Sequence, residues 1–308
     1  MLKAAKEKED GPRAIDMRPQ VLTVCLLGQT PLIFNRQSEK ARRGLLYPSG
    51  PKTKGEKATT LKHEPLEEFR ASPYINRDED EASLFHFPSG AFKKAIASAA
   101  VDMPGIARSQ INRLCSVATT QISIFGKPYL KADMVRQAGM SRTPDVRFRC
   151  CLKQWACSLD ISFMGALISG EELSLLVGAA GLIIGIGDYR VEKGAGDFGQ
   201  FRVVDRQNKA WLSIIANQGR TAQVAAMENV VYYDDETESL VEWFYDESAR
   251  RRNTPRVVTQ GKQIITVKET TREANGTGKR TRGSVQAARP TNAGAGRGRG
   301  RRPNSPAA

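Results

Sequence analysis

Histidine is nearly absent from this chain: 308 residues contain two, His63 and His86. Nucleophilic catalysis of the Ser-His-Asp or Cys-His kind needs a histidine beside a nucleophile and a third group to orient it. Here one histidine falls in an irregular stretch and the other between two phenylalanines. No H-E-x-x-H, D-x-D-x-D-G or G-K-[ST] spacing occurs, which removes the zincin, EF-hand and Walker-loop readings. The five cysteines, Cys25, Cys115, Cys150, Cys151 and Cys157, are odd in number and form no C-x-x-C pair. Free thiols packed as small core residues in a reducing compartment are expected, rather than disulfides or a zinc site. The longest apolar run, Ala179–Ile186, is too short to span a bilayer. The first ten residues are charged rather than apolar, which argues against a secretory leader. A non-enzymatic, cytoplasmic protein with no cofactor, no metal and no membrane partner is therefore expected.

What the chain has in excess is positive charge, and its position matters more than its sum. The formal charge is +14 and the sequence pI near 9.7. Residues 250–308 hold 15 Lys/Arg against 2 Asp/Glu, whereas residues 1–249 hold 32 against 31. No aromatic residue follows Tyr245, and the chain closes on a Gly-Arg repeat containing Arg297, Arg299, Arg301 and Arg302. Such a composition cannot bury enough apolar surface to offset its chain entropy, so residues 273–308 are expected to be a disordered basic tail.

Ahead of the tail the pattern is mixed α and β. Residues 1–19 read as a loose arm and residues 20–249 as the core. Val21–Leu27, continuous and apolar up to Gly28, predicts a buried central strand. Residues 37–81 lose all period and read as an irregular insertion, in which Arg42 and Arg43 follow Arg36. Leu84–Phe87 is a short strand, after which Ser89 is placed to cap a helix carrying Phe92, Ile96 and Ala99 on one face and Lys93 and Lys94 off it. A second helix is expected from Ala107 to Ala118, with Arg108 and Arg113 away from its apolar stripe. Thr143–Leu152 and Trp155–Phe163 are expected to pair as a hairpin. Arg147 and Arg149, two apart, then share one exposed sheet face, while Arg136 and Arg142 flank the preceding turn. Two arginines so placed suit a phosphate, and equally an ordinary salt-bridged surface. Residues 250–272 form a basic extension with one late strand.

The most distinctive stretch is Gly178–Asp205. Ser169 and Glu172 form a capping box for an apolar helix, which Gly185 stops by taking a left-handed conformation. The loop that follows carries Gly187, Tyr189, Arg190, Lys193, Gly194 and Gly196 before a strand over Phe198–Val204. Its G-x-G-x-x-G spacing has a helix before it and a strand after it, the reverse of a dinucleotide fingerprint. Exposed backbone amides there serve as a phosphate cradle, as a tight connection, or as both.

Two strand-helix-strand halves with a glycine-rich loop between the last helix and the last strand resemble the RAMP superfamily, RNA-binding proteins that include backbone subunits of CRISPR effector complexes. The resemblance rests on Val21–Gly28, on Phe87-Pro-Ser-Gly-Ala-Phe92 entering a helix, and on Gly185 through Phe201. The whole chain is also similar in character to bacteriophage proteins, which implies a host cytoplasm in that case. The resemblance implies an α+β, ferredoxin-like or RRM-like core and RNA held by its backbone, with Arg190 and Lys193 at phosphates. The expected partner is single-stranded nucleic acid, RNA before DNA, with self-association along the strand. Two other readings stay open: a phage structural or assembly protein tethered to nucleic acid by its tail, and a metal-dependent nuclease.

Overall fold

In the computed structural model the chain runs from β1 (Pro19–Gly28) through β2 (Leu32–Ile33), α1 (Glu39–Leu46), α2 (Pro65–Ala71), β3 (Tyr74–Ile75) and β4 (Phe85–Pro88). Next come α3 (Ser89–Ala99), α4 (Arg108–Leu114), β5 (Cys115–Val117) and β6 (Gln121–Ile124). Three long strands follow, β7 (Pro128–Arg136), β8 (Pro144–Leu152) and β9 (Ala156–Met164). α5 (Gly170–Ala179) continues through a π-helical turn, Ala180–Ile184, and the loop with its 3-10 turn, Val191–Lys193, into β10 (Phe201–Val204). α6 (Lys209–Asn217), α7 (Arg220–Glu228) and α8 (Asp235–Asn253) follow, and the first unit ends at Arg251, within α8. A second unit begins at Arg252 and contains β11 (Arg256–Gln260) and β12 (Gln263–Val267), paired antiparallel. The structure describes residues 18–47, 63–103, 105, 107–136, 143–193, 196–253, 256–260 and 263–267, with backbone alone at 40, 41, 252, 253 and in β11 and β12.

The fold class is α+β, with helices over antiparallel sheets. β1 lies inside a four-stranded sheet of order β10-β1-β9-β5. Its buried half explains the continuous apolar run, because both faces are covered. Val24 and Leu26 enter the main core, while Cys25 and Leu27 meet Trp211 and Ile214 of α6. Val21 is exposed, so burial begins three residues later than the run itself. Where β1 ends, a Cβ on Gly28 would lie 2.3 Å from Nε1 of the fully buried Trp155, so that position accepts only glycine.

Several expectations are corrected. β8 and β9 do not pair: β8 lies between β2 and β7 in a second sheet, and β9 between β1 and β5. The turn between them instead carries the chain from one sheet to the other, with Trp155 filling the corner. Cys115–Val117 forms an edge strand on β9 rather than the end of a helix, so α4 stops at Leu114. Ser89 opens α3 as a helical residue and Pro88 is its cap, without a side-chain hydrogen bond. The stretch 37–81 is not featureless, since α1, α2 and β3 fall within it. Two late strands occur in place of one. The arm over residues 1–17 and the tail over 273–308 lie outside the described residues.

The expected capping box is present, with Ser169 Oγ accepting from the Glu172 amide and Glu172 accepting from the Ser169 amide. Gly185 ends the helix at φ 71°. All five cysteines are buried. Among the described residues no helix is long and apolar enough to cross a membrane.

Candidate nucleic-acid interface

The glycine-rich loop is fastened to β2 and to itself by backbone hydrogen bonds. Asp188 N donates to Ile33 O, Gly199 N to Pro31 O, Ile186 N to Gly199 O and Phe198 N to Tyr189 O. Those amides are consumed internally, which corrects the expectation of a bare-amide cradle at these four positions. The glycines serve close approach. A Cβ on Gly199, at φ 73°, would sit 1.7 Å from Ile186 O, and one on Gly187, at φ 84°, 2.7 Å from Ile33 O. Gly196 has no left-handed φ, but a Cβ there would come within 2.9 Å of Tyr189 O.

The loop lies against the outer face of the β7–β8 hairpin, where strand alternation aligns Tyr129, Lys131 and Asp133 with Cys151, Arg149 and Arg147. Arg149 is the anchor. It is 3% exposed, ion-pairs with Asp133 and with Asp188 of the loop, and stacks its guanidinium 5.1 Å from the Tyr189 ring centroid. The expectation that Arg149 sits on an exposed face is therefore overturned, because two carboxylates and the loop cover it; Arg147, two residues earlier, is exposed. Arg190 is likewise engaged, donating to Glu192 and to Gly187 O. That bond holds the Glu192 carboxyl below its usual range. Lys193 is the open cation of the loop, 63% exposed and 3.8 Å from Glu192.

Beside Arg149 the same face carries cations of a different kind. Lys153 Nζ lies 4.6 Å from the Tyr129 ring centroid and 4.8 Å from that of Tyr233. Lys127 lies 5.8 Å from Tyr129, and Lys131 5.3 Å from Tyr233 and 5.6 Å from Phe198. Lys131 pairs with Asp133. Among the described residues Lys127 and Lys153 make no salt bridge: ring faces hold them, with Asp234 acting on Lys153 at longer range, and their charge remains available to an anion. Tyr233 arrives because residues 231–233 run alongside β7, with Leu130 N donating to Val231 O and Tyr233 N to Leu130 O. Burial pushes the Tyr233 phenol up, so it stays neutral.

The remaining expected residues scatter. Arg42 and Arg43 lie on α1, Arg43 paired with Glu39 and Arg42 donating to Gln37 O. Lys93 and Lys94 sit on α3 and Arg108 opens α4, on elements that do not belong to the hairpin. Arg136 ends β7 and is exposed. Arg36 lines a separate cavity with His86. Arg142, Gly194, Arg297, Arg299, Arg301 and Arg302 lie outside the described residues.

Sequence reasoning missed Lys127, Tyr129, Lys153, Phe198 and Tyr233. Part of the signal was legible: Lys127-Pro-Tyr129-Leu-Lys131 alternates, and a strand puts its odd members on one face. Lys153 and Tyr233 carry no such local mark.

No family model matches the chain. No curated protein matches it. Among solved structures it is similar to a chain of a Type III-B Cmr-beta bound to cognate target RNA, with a TM-score of 0.31, 11% identity, and coverage of 61% of this chain and 59% of that one. It is similar also to Cmr6 from Pyrococcus furiosus, with a TM-score of 0.30, 11% identity, and coverage of 61% of this chain and 98% of that one. The chain thus spans under two thirds of the Cmr-beta chain, at 59%.

Proposed function

We propose that this chain binds single-stranded nucleic acid, RNA before DNA, on the outer face of the β7–β8 hairpin and the adjoining glycine-rich loop. One observation carries the reading: Lys127 and Lys153 are held on the faces of Tyr129 and Tyr233 without a salt bridge to any described carboxylate, Asp234 acting on Lys153 only at longer range. Cations interleaved with half-buried rings match the chemistry of a strand, whose phosphates need charge and whose bases need π-surfaces. RNA is proposed first because the glycine-rich loop resembles that of RAMP proteins. The order β10-β1-β9-β5, with α3 and α4 joining β1 to β5 across β9, supports a ferredoxin-like reading of the central sheet. Lys193 on the loop and the cations of residues 250–308 extend the proposed contact electrostatically.

The test is fluorescence anisotropy of labelled 20-nucleotide RNA and DNA single strands against the full chain and its Lys127→Gln/Lys153→Gln and Tyr129→Ala variants. The tyrosine truncation is expected to weaken binding by about 1–3 kcal/mol if a base stacks there. Each lysine removed is expected to flatten log K against log salt by about 0.7. Unchanged affinity and slope in folded variants would move the interface off this face.

A further inference from the structure

A cavity of about 530 Å³ opens on the outer side of the β3-β4-β6 sheet, and none of the hairpin-face residues Lys127, Tyr129, Lys153 or Tyr233 lines it. Strand register sets Tyr74 opposite His86, and their rings stand 5.6 Å apart at 44°. His86 is 9% exposed, and its Nδ1 is buried without a hydrogen-bond partner among the described residues. Buried polar atoms are ordinarily satisfied, so an orphan on a residue that lines a cavity marks a polar spot that a ligand seated there completes once the ring turns toward it. Burial, and then the nearby Arg36, push the imidazole pKa down, so the ring is neutral at physiological pH.

The charge at the mouth is unbalanced. Arg36 and Arg77 line it with Asp78 as the carboxylate, and neither guanidinium makes an ion pair or a side-chain hydrogen bond with a described residue. Arg36 is positioned by its backbone, whose amide donates to Ser72 O at the end of α2. The Asp78 carboxylate accepts from the Asp80 amide and turns back toward its own loop. An aromatic wall, one neutral imidazole nitrogen and two open guanidinium forks fit a planar heterocycle joined to a phosphate, and the volume lies within the range of small-ligand sites.

We propose that the Arg36–Tyr74–His86 cavity binds a nucleoside 5′-monophosphate unit, the base against Tyr74 with a polar edge atom at His86 Nδ1 and the phosphate on Arg36 and Arg77. The unit comes either as a free nucleotide or as the phosphorylated end of a strand; only the second source rests on the function proposed above.

Calorimetric titration of the full chain with AMP, GMP, CMP and UMP, and with adenosine and inorganic phosphate as fragments, tests it. At least one monophosphate is expected to bind about tenfold or more tighter than either fragment, since the guanidinium and ring contacts act together. Arg36→Gln/Arg77→Gln, at the solvent-facing rim, is expected to lower that affinity about tenfold or more. His86→Phe is expected to remove the preference among bases; the rim variant keeps the test open if His86→Phe does not fold. Competition by a 5′-phosphorylated oligonucleotide, and none by its 5′-hydroxyl form, assigns the strand end as source; no competition by either assigns the free nucleotide. Lys127→Gln/Lys153→Gln is expected to leave nucleotide binding unchanged, so failure of the hairpin interface and failure of this cavity read separately. No detectable binding of any monophosphate, or binding indifferent to both the rim variant and His86→Phe, overturns the proposal.

Discussion

The Asp188 carboxylate of the glycine-rich loop ion-pairs with the Arg149 guanidinium of β8, and through that pair the loop is held onto the hairpin. Arg149 is also paired with Asp133, so Arg149→Ala leaves Asp188 without its cation and Asp133 with Lys131 alone, and removes the contact with Tyr189. Breaking a buried ion pair from one side costs about 3–5 kcal/mol. Asp188→Asn is expected to cost about 1 kcal/mol or less, because Asp188 is a third exposed and Arg149 keeps Asp133. Urea unfolding of both variants checks the order. Equal midpoints for Arg149→Ala and the parent protein would mean the pair does not fasten the loop.

From the sequence, Arg147 and Arg149 are equivalent members of one strand face, and that much is correct. What separates them is a loop about forty residues later that covers one and not the other, and no local pattern carries that information. β1, the capping box at Ser169 and the stop at Gly185 were legible because each depends on neighbours within one turn or one strand. The pairing of β8 with β2 and β7 was not, because short separation favours a hairpin unless Trp155 is known to turn the corner between sheets. The lysine–aromatic patch failed for a related reason: Lys153 and Tyr233 meet only after the chain returns beside β7.

Glycine positions divide by what a Cβ would meet. Gly199→Ala places a methyl against Ile186 O at a left-handed φ of 73° and is expected to cost roughly 1–3 kcal/mol or more. Gly44→Ala, in α1 with nothing within 4 Å, is expected to gain roughly 0.5–1 kcal/mol in helix stability. Thermal melts of the two variants should move in opposite directions; parallel shifts would remove the steric account of the loop.

Arg190 and Lys193 lie three residues apart and are expected to respond differently. Arg190→Ala breaks the bonds to Glu192 and Gly187 O, so loop order and strand binding should fall together. Lys193→Ala removes an exposed charge alone, leaving the melting temperature unchanged and lowering the salt slope by about 0.7 on a single strand. Paired measurements of melting and binding check this. A lower melting temperature for Lys193→Ala would mean that its 3.8 Å approach to Glu192 matters to folding.

Burial pushes the Cys151 thiol from about 9 up to about 12, and the Cys150 and Cys157 thiols also upward. A folded-state pKa above the unfolded value gives a contribution that is complete below about pH 9 and is lost as pH rises through the folded value. Unfolding stability is therefore expected to fall from pH 9 toward 11, by about 1.4 kcal/mol per pH unit for each buried thiol. The phenols of Tyr232, Tyr233 and Tyr245, raised chiefly by burial, add to the fall in the same direction at higher pH. Cys151→Ala should reduce the slope by about one proton. Urea midpoints at pH 8, 9 and 10 test it, and a flat profile would show that these thiols are open to solvent.

Charge in the last segment should add affinity without adding choice. Deleting residues 274–308 removes eight cations, Lys279, Arg280, Arg282, Arg289, Arg297, Arg299, Arg301 and Arg302, and no carboxylate. Each phosphate that the shortened chain no longer neutralises should flatten log K against log salt by about 0.7 on a single strand. The segment has no aromatic residue on which a base can stack, whereas Tyr129, Phe198 and Tyr233 remain on the hairpin face. Any discrimination between RNA and DNA depends on 2′-hydroxyl and shape contacts from a fixed surface, so it should survive the deletion while affinity drops. Salt titrations of the full and shortened chains on matched RNA and DNA strands separate the two effects. Discrimination that disappears with the segment would assign recognition to the deleted residues, and an unchanged slope would leave them no part in binding.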